Sequence, residues 1–324
     1  MLTWNIISSK DKLKAFKLSA ITSHHFCSKH PFYSISFSIF VNSITYPMKT
    51  ISHKIQEELA NDYSDGEIKA LTRIIATELL GVSQMTYFLK DDISLTAEQQ
   101  ALLDNAIERL KKQEPIQYIL GYCDFCGLRF KVTPATLIPR PETSELVGWV
   151  ASEATGKENI LDIGTGSGCI AVSLASKMPQ SNVTAWDISN DALAVAAENS
   201  KANGCNVAFE QVDILEYQPA DELFDIIVSN PPYIKENEKE AMHANVLDWE
   251  PHTALFVPDS DPLLFYRTIA EKGLTLLKPG GRLYFEINRA HGKETMEMLA
   301  ALGYTSIELR KDFAENDRMI RAVK

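Results

Sequence analysis

Residues 159–168 read NILDIGTGSG, an apolar run typical of a buried strand that ends in three closely spaced glycines. Gly164, Gly166 and Gly168 allow the backbone to turn sharply into the helical stretch that follows, and they allow a ligand to approach without meeting a Cβ atom. Their spacing is G-x-G-x-G, whereas dinucleotide-binding enzymes favour G-x-G-x-x-G, so a nicotinamide or flavin cofactor is the less natural interpretation. The motif by itself also fits a tight strand-to-helix turn with no ligand.

A long alternation of strands and helices surrounds this glycine loop and predicts an α/β fold, a parallel sheet with helices on both faces. The predicted strands lie at residues 159–163, 182–188, 206–213, 224–230, 282–287, 306–312 and 318–323. In open sheets of this kind, ligands bind beyond the carboxyl ends of the strands. Candidate site residues are therefore expected at those ends.

Two acidic residues stand at the ends of the second and third predicted strands. Asp187 follows the glycine loop by roughly twenty residues, where a carboxylate accepts hydrogen bonds from both hydroxyls of an adenosine ribose. Asp213 is expected on the same edge of the sheet, with its neighbour Ile214 placed to contact a flat base. A lone aspartate at a strand end is often a turn former or a helix cap. A glycine loop and two acids on successive strands favour a nucleoside site.

The fourth predicted strand ends in Asn230-Pro-Pro-Tyr233. If the strand order reverses there, Asn230 lies beside the first strand and its glycine loop. Proline has a fixed φ and no backbone N–H, so Pro231 and Pro232 form a stiff segment that offers only carbonyl acceptors. The Asn230 side-chain oxygen and a proline carbonyl fit a planar NH2 group with two hydrogens to donate, and Tyr233 supplies a flat face to stack on it. The segment indicates a site for an amide or an aromatic amine.

The region from about residue 50 to 112 predicts a small helical domain. Ser64 with Glu67, and Thr96 with Gln99, have the spacing of a capping box at a helix start. Apolar residues at helical spacing follow each box and are expected in the core: Ile68, Leu71, Ile75 and Leu79, then Leu102, Ala106, Ile107 and Leu110.

Two further segments flank this helical region. From 118 to 138, aromatic and β-branched residues alternate with glycines and polar residues, which predicts a β-hairpin connecting two domains. Residues 1–47 show no helical period. They are expected to be a disordered or non-native extension, with translation starting at Met48.

The charge balance argues against a protein whose main task is to grip nucleic acid. The 324 residues carry a net charge of −11, and because residues 1–47 hold five lysines and one aspartate, residues 48–324 carry −15. Affinity for phosphate backbones comes largely from clustered lysine and arginine. No stretch reaches the roughly 18 uninterrupted apolar residues of a membrane span. Neither membrane association nor direct nucleic-acid binding is expected.

The five cysteines are odd in number and have no disulfide-framework spacing, which suits the reducing cytoplasm. Cys123 and Cys126 form a C-x-x-C pair, but neither a second such pair nor an H-x-x-x-H pair accompanies them. Two residues of a hairpin are the favoured interpretation, and no metal site is predicted.

The glycine loop, the acid of the second strand and the N-P-P-Y sequence together resemble class I S-adenosylmethionine-dependent methyltransferases. The resemblance implies a Rossmann-like domain that binds S-adenosylmethionine through Gly164, Thr165, Gly166, Ser167, Gly168, Asp187, Asp213, Ile214 and Asn230. It implies that Asn230, Pro231 and Tyr233 are catalytic, and that these three bind the substrate together with Pro232. Enzymes with N-P-P-Y methylate amino groups of glutamine, adenine, cytosine or guanine, so the motif indicates the reaction rather than the substrate.

Three flanking segments resemble the peptide chain release factor glutamine methyltransferase family: EPIQYILG at 114–121, FKVTP at 130–134 and LIPRPET at 137–143. The family implies a helical substrate-recognition domain at 48–117, a β-hairpin linker at 118–139 and a seven-stranded methyltransferase domain at 140–324. It also implies methyl transfer to the side-chain amide nitrogen of the glutamine in the Gly-Gly-Gln motif of class 1 peptide chain release factors.

The chain departs from the family pattern at three places. Ser144 stands where a second acid often follows P-E-T, Asn288 stands where a glycine often follows Glu286-Ile, and FVPDSDP at 256–262 occupies a loop that often holds glycines. The last departure is expected to alter how the substrate loop is held.

Two other functions stay open at this point. An amino methyltransferase acting on adenine or another base in DNA or RNA shares the N-P-P-Y chemistry but should carry a basic surface. A non-catalytic cofactor-binding scaffold is the other, although it would need neither Asn230 nor Tyr233.

Overall fold

The predicted helical region is present in the computed structural model, which describes residues 44–89, 92–219, 221 and 223–324. Its elements are β1 (Ile44–Pro47), α1 (Met48–Leu59), α2 (Asp65–Ile74), α3 (Gln84–Leu89), β2 (Asp92–Leu95), α4 (Ala97–Leu110) and α5 (Ile116–Leu120). A π-helical turn, Ile75–Leu79, continues α2, and β1 pairs antiparallel with β2. Strand β1 occupies the last part of the predicted 1–47 extension. Residues 1–43 of that extension lie outside the described residues.

Both predicted capping boxes begin helices. The Ser64 hydroxyl accepts a hydrogen bond from the Glu67 backbone N–H at 3.4 Å, and the Glu67 carboxylate accepts one from the Ser64 backbone N–H at 2.8 Å. Thr96 and Gln99 make the same reciprocal pair of bonds at the start of α4. Each pair satisfies two backbone donors that a helix start leaves free.

The prediction that Leu102 belongs to the helical core is wrong. Leu102 is 43% exposed, whereas Leu103 is 1% exposed. The buried face of α4 therefore runs through Leu103, Ala106, Ile107 and Leu110. Leu103 precedes Ala106 by three residues and Leu102 by four, and both separations place a side chain on the same helix face, so the sequence pattern does not choose between them.

The predicted hairpin follows α5. It consists of β3 (Tyr122–Phe125) and β4 (Leu128–Lys131), which pair antiparallel through a turn where Cys126 and Gly127 have φ values of 51° and 79°. The hairpin begins later than predicted because residues 118–120 belong to α5. Cys123 within β3 and Cys126 at the turn are both free thiols.

The rest of the chain builds the large sheet and its covering helices. Its elements are α6 (Pro141–Glu153), β5 (Asn159–Ile163), α7 (Cys169–Lys177), β6 (Asn182–Asp187), α8 (Asn190–Ala202), β7 (Val207–Gln211), β8 (Phe224–Ser229), β9 (Ile234–Lys235), α9 (Ala244–Leu247), β10 (Phe256–Val257), α10 (Leu264–Leu276), β11 (Leu277–Glu286), α11 (Gly292–Ala301), β12 (Thr305–Lys311) and β13 (Asp317–Val323). None of the helices in the described part of the chain is long and apolar enough to cross a membrane.

Seven of these strands form one sheet in the order β12-β13-β11-β8-β5-β6-β7. The neighbours from β11 to β7 are parallel, and β13 runs antiparallel to both β11 and β12. All seven correspond to predicted strands, which confirms the predicted fold class. The chain moves outward from β5 to β7 and then returns to place β8 on the other side of β5. This reversal opens a crevice at the carboxyl ends of β5 and β8.

Successive residues of the central strands enter opposite faces of the sheet. Ile226 packs in the core with Val150 of α6 and Val172 of α7, whereas its neighbour Ile227 packs in the core with Ile269 of α10. Side chains alternate along a strand, so a strand covered on both faces is apolar at nearly every position. This explains why the central strands appear in the sequence as mainly apolar runs.

Glu153, the last residue of α6, ties this helix to strands β11 and β13 of the sheet. Its carboxylate accepts hydrogen bonds from Trp149 Nε1 at 2.6 Å, from the Tyr284 hydroxyl at 2.7 Å and from Arg321 Nη1 at 2.7 Å. Burial by itself would raise the pKa of Glu153, but the bonds from Arg321, Tyr284 and Trp149 outweigh it and lower the pKa to about 2.

This lowered pKa predicts a specific loss of stability in acid. A carboxylate whose folded pKa lies below its ordinary value of 4.5 stabilises the fold fully above that value and loses the contribution as pH falls toward 2. Glu153→Gln should lower the free energy of unfolding by roughly 2 kcal/mol at pH 6, and by clearly less at pH 3. Urea unfolding at both pH values measures the difference, with the exposed Glu216→Gln as control. A deficit of equal size at both pH values would contradict the assignment.

Candidate active site

The glycine loop joins β5 to α7 at the crevice between β5 and β8. Gly164, Gly166 and Gly168 have φ values of 74°, 55° and 80°, in the left-handed region that favours glycine. A Cβ atom on Gly164 or Gly166 would meet no other atom within 4 Å, and both residues line a cavity of about 350 Å³. A Cβ on Gly168 would lie 3.0 Å from the Ala196 Cβ of α8. The first two glycines leave ligand space open, whereas the third permits close helix packing.

Thr165 and Ser167 do not line the cavity, and neither does Gly168. The Thr165 side chain is buried and donates a hydrogen bond to Asp162, while the buried Ser167 backbone oxygen accepts one from Asn199 of α8. These residues hold the loop in place from behind. Their predicted contact with a cofactor stays a prediction.

Asp162 supports the glycine loop from behind, a role that the sequence interpretation missed. It is fully buried, and its Oδ2 accepts hydrogen bonds from the Thr165 hydroxyl at 2.6 Å and from the Ala171 backbone N–H at 3.1 Å. Its Oδ1 has no hydrogen-bond partner among the described residues. Burial raises the pKa of Asp162 to about 7, although the bonds from Thr165 and Ala171 oppose the shift. An acid inside an otherwise apolar strand was the available signal.

Asp187 ends β6 and lines the same cavity as the glycine loop. Its Oδ2 accepts a hydrogen bond from the Gly166 backbone N–H at 2.8 Å, and its Oδ1 accepts one from the Ser189 backbone N–H at 2.9 Å. Burial raises the pKa of this carboxyl, and the backbone bonds act against the increase. A carboxylate has about four lone-pair sites, so two remain for ligand hydroxyls.

Asp213 and Ile214 also line this cavity, in the segment after β7. The strand ends at Gln211, two residues before its predicted end. Asp213 Oδ1 accepts a hydrogen bond from the Leu215 backbone N–H at 2.9 Å, and Ile214 is 8% exposed. The structure thus brings the two predicted acids and the apolar residue to one cavity.

Asn230 and Pro231 stand between two cavities. The first is the cavity of the glycine loop. The second, of about 280 Å³, is lined by Arg140, Tyr233, Met242 and His243 among others. The two cavities share Leu137, Asn230, Pro231 and Ala254 as walls, while Pro232 lines only the first and Tyr233 only the second. Groups bound in the two cavities would therefore meet at Asn230 and Pro231.

A buried hydrogen-bond chain lies behind Asn230. Asn230 Nδ2 donates to Thr143 Oγ1 at 3.4 Å, and Thr143 Oγ1 donates to Glu286 Oε2 at 2.6 Å. The other Glu286 oxygen accepts from the Tyr233 hydroxyl at 3.5 Å. Burial raises the pKa of both Glu286 and Tyr233. Sequence interpretation missed Thr143 and Glu286 as site residues, although Glu286 ends a strand beside β8 and the rule of strand ends applied to it.

The three departures from the family pattern have identifiable contacts. The Ser144 hydroxyl donates to the Pro141 backbone oxygen in the first turn of α6. The Asn288 side chain donates to the Tyr233 backbone oxygen at 3.2 Å and so supports the end of the N-P-P-Y segment. In the 256–262 loop, β10 pairs parallel with β9, and Asp259 accepts a hydrogen bond from the Asn237 backbone N–H at 2.9 Å.

An ion pair with a buried carboxylate holds Arg140 in the lining of the second cavity. Arg140 Nη2 lies 2.6 Å from a carboxylate oxygen of Glu250, whose side chain is 1% exposed. The other Glu250 oxygen accepts from the Ile138 backbone N–H at 3.2 Å. Charge-assisted bonds of this kind are short and directional. They fix the 137–140 segment next to Asn230 and Pro231.

Known families and proteins match this chain over both parts of the fold. Residues 143–248 match the methyltransferase small domain, and residues 51–121 match the PrmC N-terminal domain. A release factor glutamine methyltransferase of Bacteroides thetaiotaomicron is 49% identical over 85% of this chain and 99% of that protein. The one from Flavobacterium psychrophilum is 44% identical over 85% and 98%. A methyltransferase structure from Pyrococcus furiosus is 19% identical, with a TM-score of 0.47 over 70% of this chain and 98% of that one.

The seven-stranded sheet and the matched domains define an S-adenosylmethionine-dependent methyltransferase. The chain belongs to the release factor glutamine methyltransferase family, because a relative 49% identical covers most of its length. It is thus a protein-glutamine methyltransferase, as its resemblance at 114–121, 130–134 and 137–143 predicted.

The first cavity fits S-adenosylmethionine. Its volume of about 350 Å³ is in the usual range of ligand pockets, roughly 300–1,000 Å³. The Asp187 carboxylate has acceptor sites for ribose hydroxyls, Ile188 and Ile214 offer apolar surface to a base, and the space beside Gly164 and Gly166 is free of side chains. When bound, S-adenosylmethionine supplies a methyl group activated by a positively charged sulfur.

Proposed function

We propose that this enzyme methylates the side-chain amide nitrogen of the glutamine in the Gly-Gly-Gln motif of class 1 peptide chain release factors. The observation that carries the proposal is the position of Asn230 and Pro231 between the two cavities. Such a position suits a transfer in which the methyl donor occupies one cavity and the acceptor amide enters from the other. The family name of its relatives supports release factors as the substrate.

In this proposal Asn230 and Pro231 bind the glutamine NH2 group. The Asn230 Oδ1 and the Pro231 backbone oxygen each accept one of its two hydrogens, since proline offers no competing N–H. An amide nitrogen is a poor nucleophile because its lone pair is delocalised into the carbonyl. Two fixed acceptors would turn that lone pair toward the methyl carbon and would favour the positive charge that builds on nitrogen.

Tyr233 and Pro232 complete the proposed substrate site, although Pro232 lines the first cavity rather than the second. Tyr233 lines the second cavity, where its ring would stack on the planar amide. Asn230 carries no proton acceptor that titrates near neutral pH, so no dedicated general base is assigned. Positioning would supply most of the reduction in barrier, up to ~7–11 kcal/mol for well-oriented groups.

The remaining assignments are part of the same proposal. Cofactor-binding residues are Gly164, Thr165, Gly166, Ser167, Gly168, Asp187, Asp213, Ile214 and Asn230. Residues 48–117 form a helical domain that recognises the release factor, 118–139 form the linker, and 140–324 form the catalytic domain. A cytoplasmic location stays a prediction from the cysteine content.

A methyl-transfer assay tests the substrate. The purified chain is incubated with S-adenosylmethionine labelled in its methyl group and with a class 1 release factor, the same factor with its motif glutamine changed to alanine, or DNA and RNA. Label is expected on the intact release factor alone, because only that sample presents the proposed amide. Equal label on the glutamine-to-alanine factor would contradict the motif glutamine as the methyl acceptor. Label on DNA or RNA would favour a nucleic-acid amino methyltransferase.

A further inference from the structure

The Asn230 side chain has two chemically opposite ends, of which only one suits the proposed substrate. Its Oδ1 accepts hydrogen bonds, whereas its Nδ2 group donates them, and a substrate NH2 group needs the acceptor. We propose that Glu286, acting through the Thr143 hydroxyl, holds the Nδ2 end of Asn230 and thereby directs the oxygen toward the substrate. This inference rests on the function proposed above, in which Asn230 binds the substrate amide.

The three side chains come from separate elements that meet at the crevice. Asn230 follows β8, Glu286 ends the neighbouring strand β11, and Thr143 lies in the first turn of α6. Phe285 pairs with Ser229 in the sheet, so the next residue on each strand brings Glu286 alongside Asn230. Glu286 is 1% exposed and Thr143 is 2% exposed. Bulk water therefore does not compete for their hydrogen bonds.

The direction of the hydrogen bonds follows from the number of hydrogens. An ionised carboxylate only accepts, so the single hydroxyl hydrogen of Thr143 goes to Glu286 Oε2 at 2.6 Å. The Thr143 oxygen then has only lone pairs to offer Asn230, and it accepts from Nδ2 at 3.4 Å. The opposite orientation of the Asn230 amide would place two oxygens against each other with no hydrogen between them. The carboxylate thus sets the orientation of a side chain that it does not touch.

The surroundings of Glu286 bear on its charge. Burial raises the pKa of Glu286, whereas the Thr143 hydrogen bond and the positive charge of Arg318 act in the opposite direction, and Glu142 adds to the increase. The Tyr233 hydroxyl also donates to Glu286. The Glu286 carboxylate is therefore connected to two side chains of the proposed substrate site. It accepts a hydrogen bond directly from Tyr233, and it is linked to Asn230 through the Thr143 hydroxyl.

Substitutions at 143 and 286 test these positioning roles. Valine keeps the branched shape of threonine without its hydroxyl, so Thr143→Val should lower kcat about 10-fold with the release factor, while KM for S-adenosylmethionine is unchanged. Thr143→Ser restores the hydroxyl and should keep kcat within about two-fold of the wild type. Glu286→Gln can donate as well as accept, which permits the inverted chain, so its kcat should fall like that of Thr143→Val.

A matched control separates positioning from loss of fold. Thr295 of α11 is another fully buried threonine, with its hydroxyl bonded to the His291 backbone oxygen at 2.7 Å. Thr295→Val should leave kcat unchanged even if it lowers the melting temperature. Should Thr143→Val fail to fold, Glu286→Gln carries the same comparison.

The outcomes distinguish this inference from the function on which it rests. The double variant Thr143→Val with Asn230→Ala should be no slower than Asn230→Ala alone. Once Asn230 is absent, Thr143 has no side-chain oxygen to direct toward the substrate, so its loss adds nothing. Normal kcat in Thr143→Val and Glu286→Gln together with a slow Asn230→Ala would overturn the inference and leave the proposed function intact. Equal losses in Thr143→Val and Thr143→Ser would also overturn it. Normal turnover of Asn230→Ala would instead refute the proposed role of Asn230.

Discussion

Replacing Asn230 by alanine is expected to lower kcat about 100-fold or more while the Kd for S-adenosylmethionine changes little. The substitution removes one of the two acceptors that would hold the substrate amide at the junction of the cavities. It leaves Asp187, Asp213, Gly164 and Gly166 in place, and these residues also line the first cavity. A loss confined to turnover is the signature of an interaction that acts on the reacting group rather than on cofactor affinity.

Single-turnover kinetics with labelled S-adenosylmethionine and a release factor measure this effect, and calorimetry measures cofactor binding by the same protein. The exposed Asn61→Ala is the matched control, since it makes the same chemical change away from the sheet crevice. Turnover of Asn230→Ala within a few-fold of the wild type would refute the catalytic role of Asn230. A parallel collapse of cofactor binding would show that Asn230 acts mainly on cofactor affinity rather than on the reacting amide.

The sheet was predictable because its central strands are buried on both faces. Ile226, Ile227 and Val228 are fully buried, so β8 had to appear as a continuous apolar run. The start of β11 was not predictable in this way. Residues 278–281 read KPGG, which favours a turn, yet Leu277 pairs with Phe224, and a register shift separates this pair from the next one at Arg282.

The candidate site was predictable where it follows strand ends and not where it depends on packing. Asp187 and Asn230 could be located because parallel strands present their carboxyl ends to one crevice. Thr143 precedes the whole sheet in the chain, and no spacing in the sequence shows that α6 places it against Glu286. The helical core shows the same limit on a smaller scale, since only packing selects Leu103 over Leu102.

Replacing Asp187 by alanine is expected to raise the Kd for S-adenosylmethionine about 100-fold or more, the converse of the Asn230 result. Hydrogen bonds to a charged acceptor contribute about 1.5–3 kcal/mol each, and two lost bonds to ribose hydroxyls exceed the ~2.7 kcal/mol that a 100-fold change requires. The carboxylate also holds the Gly166 N–H at 2.8 Å, so its loss frees the loop that forms the cavity wall.

Calorimetric titration of S-adenosylmethionine into both proteins measures this change. The control is Asp191→Ala, which removes an equal charge from an exposed position in the first turn of α8. Because Asp187 lines the first cavity but not the second, where the substrate amide is proposed to enter, saturating S-adenosylmethionine should return kcat to within about ten-fold of the wild type. A Kd close to that of the wild type would exclude Asp187 from cofactor binding. If kcat stayed 100-fold low at saturation, the carboxylate would act on the reacting groups, and Asn230 would not be the main determinant of turnover.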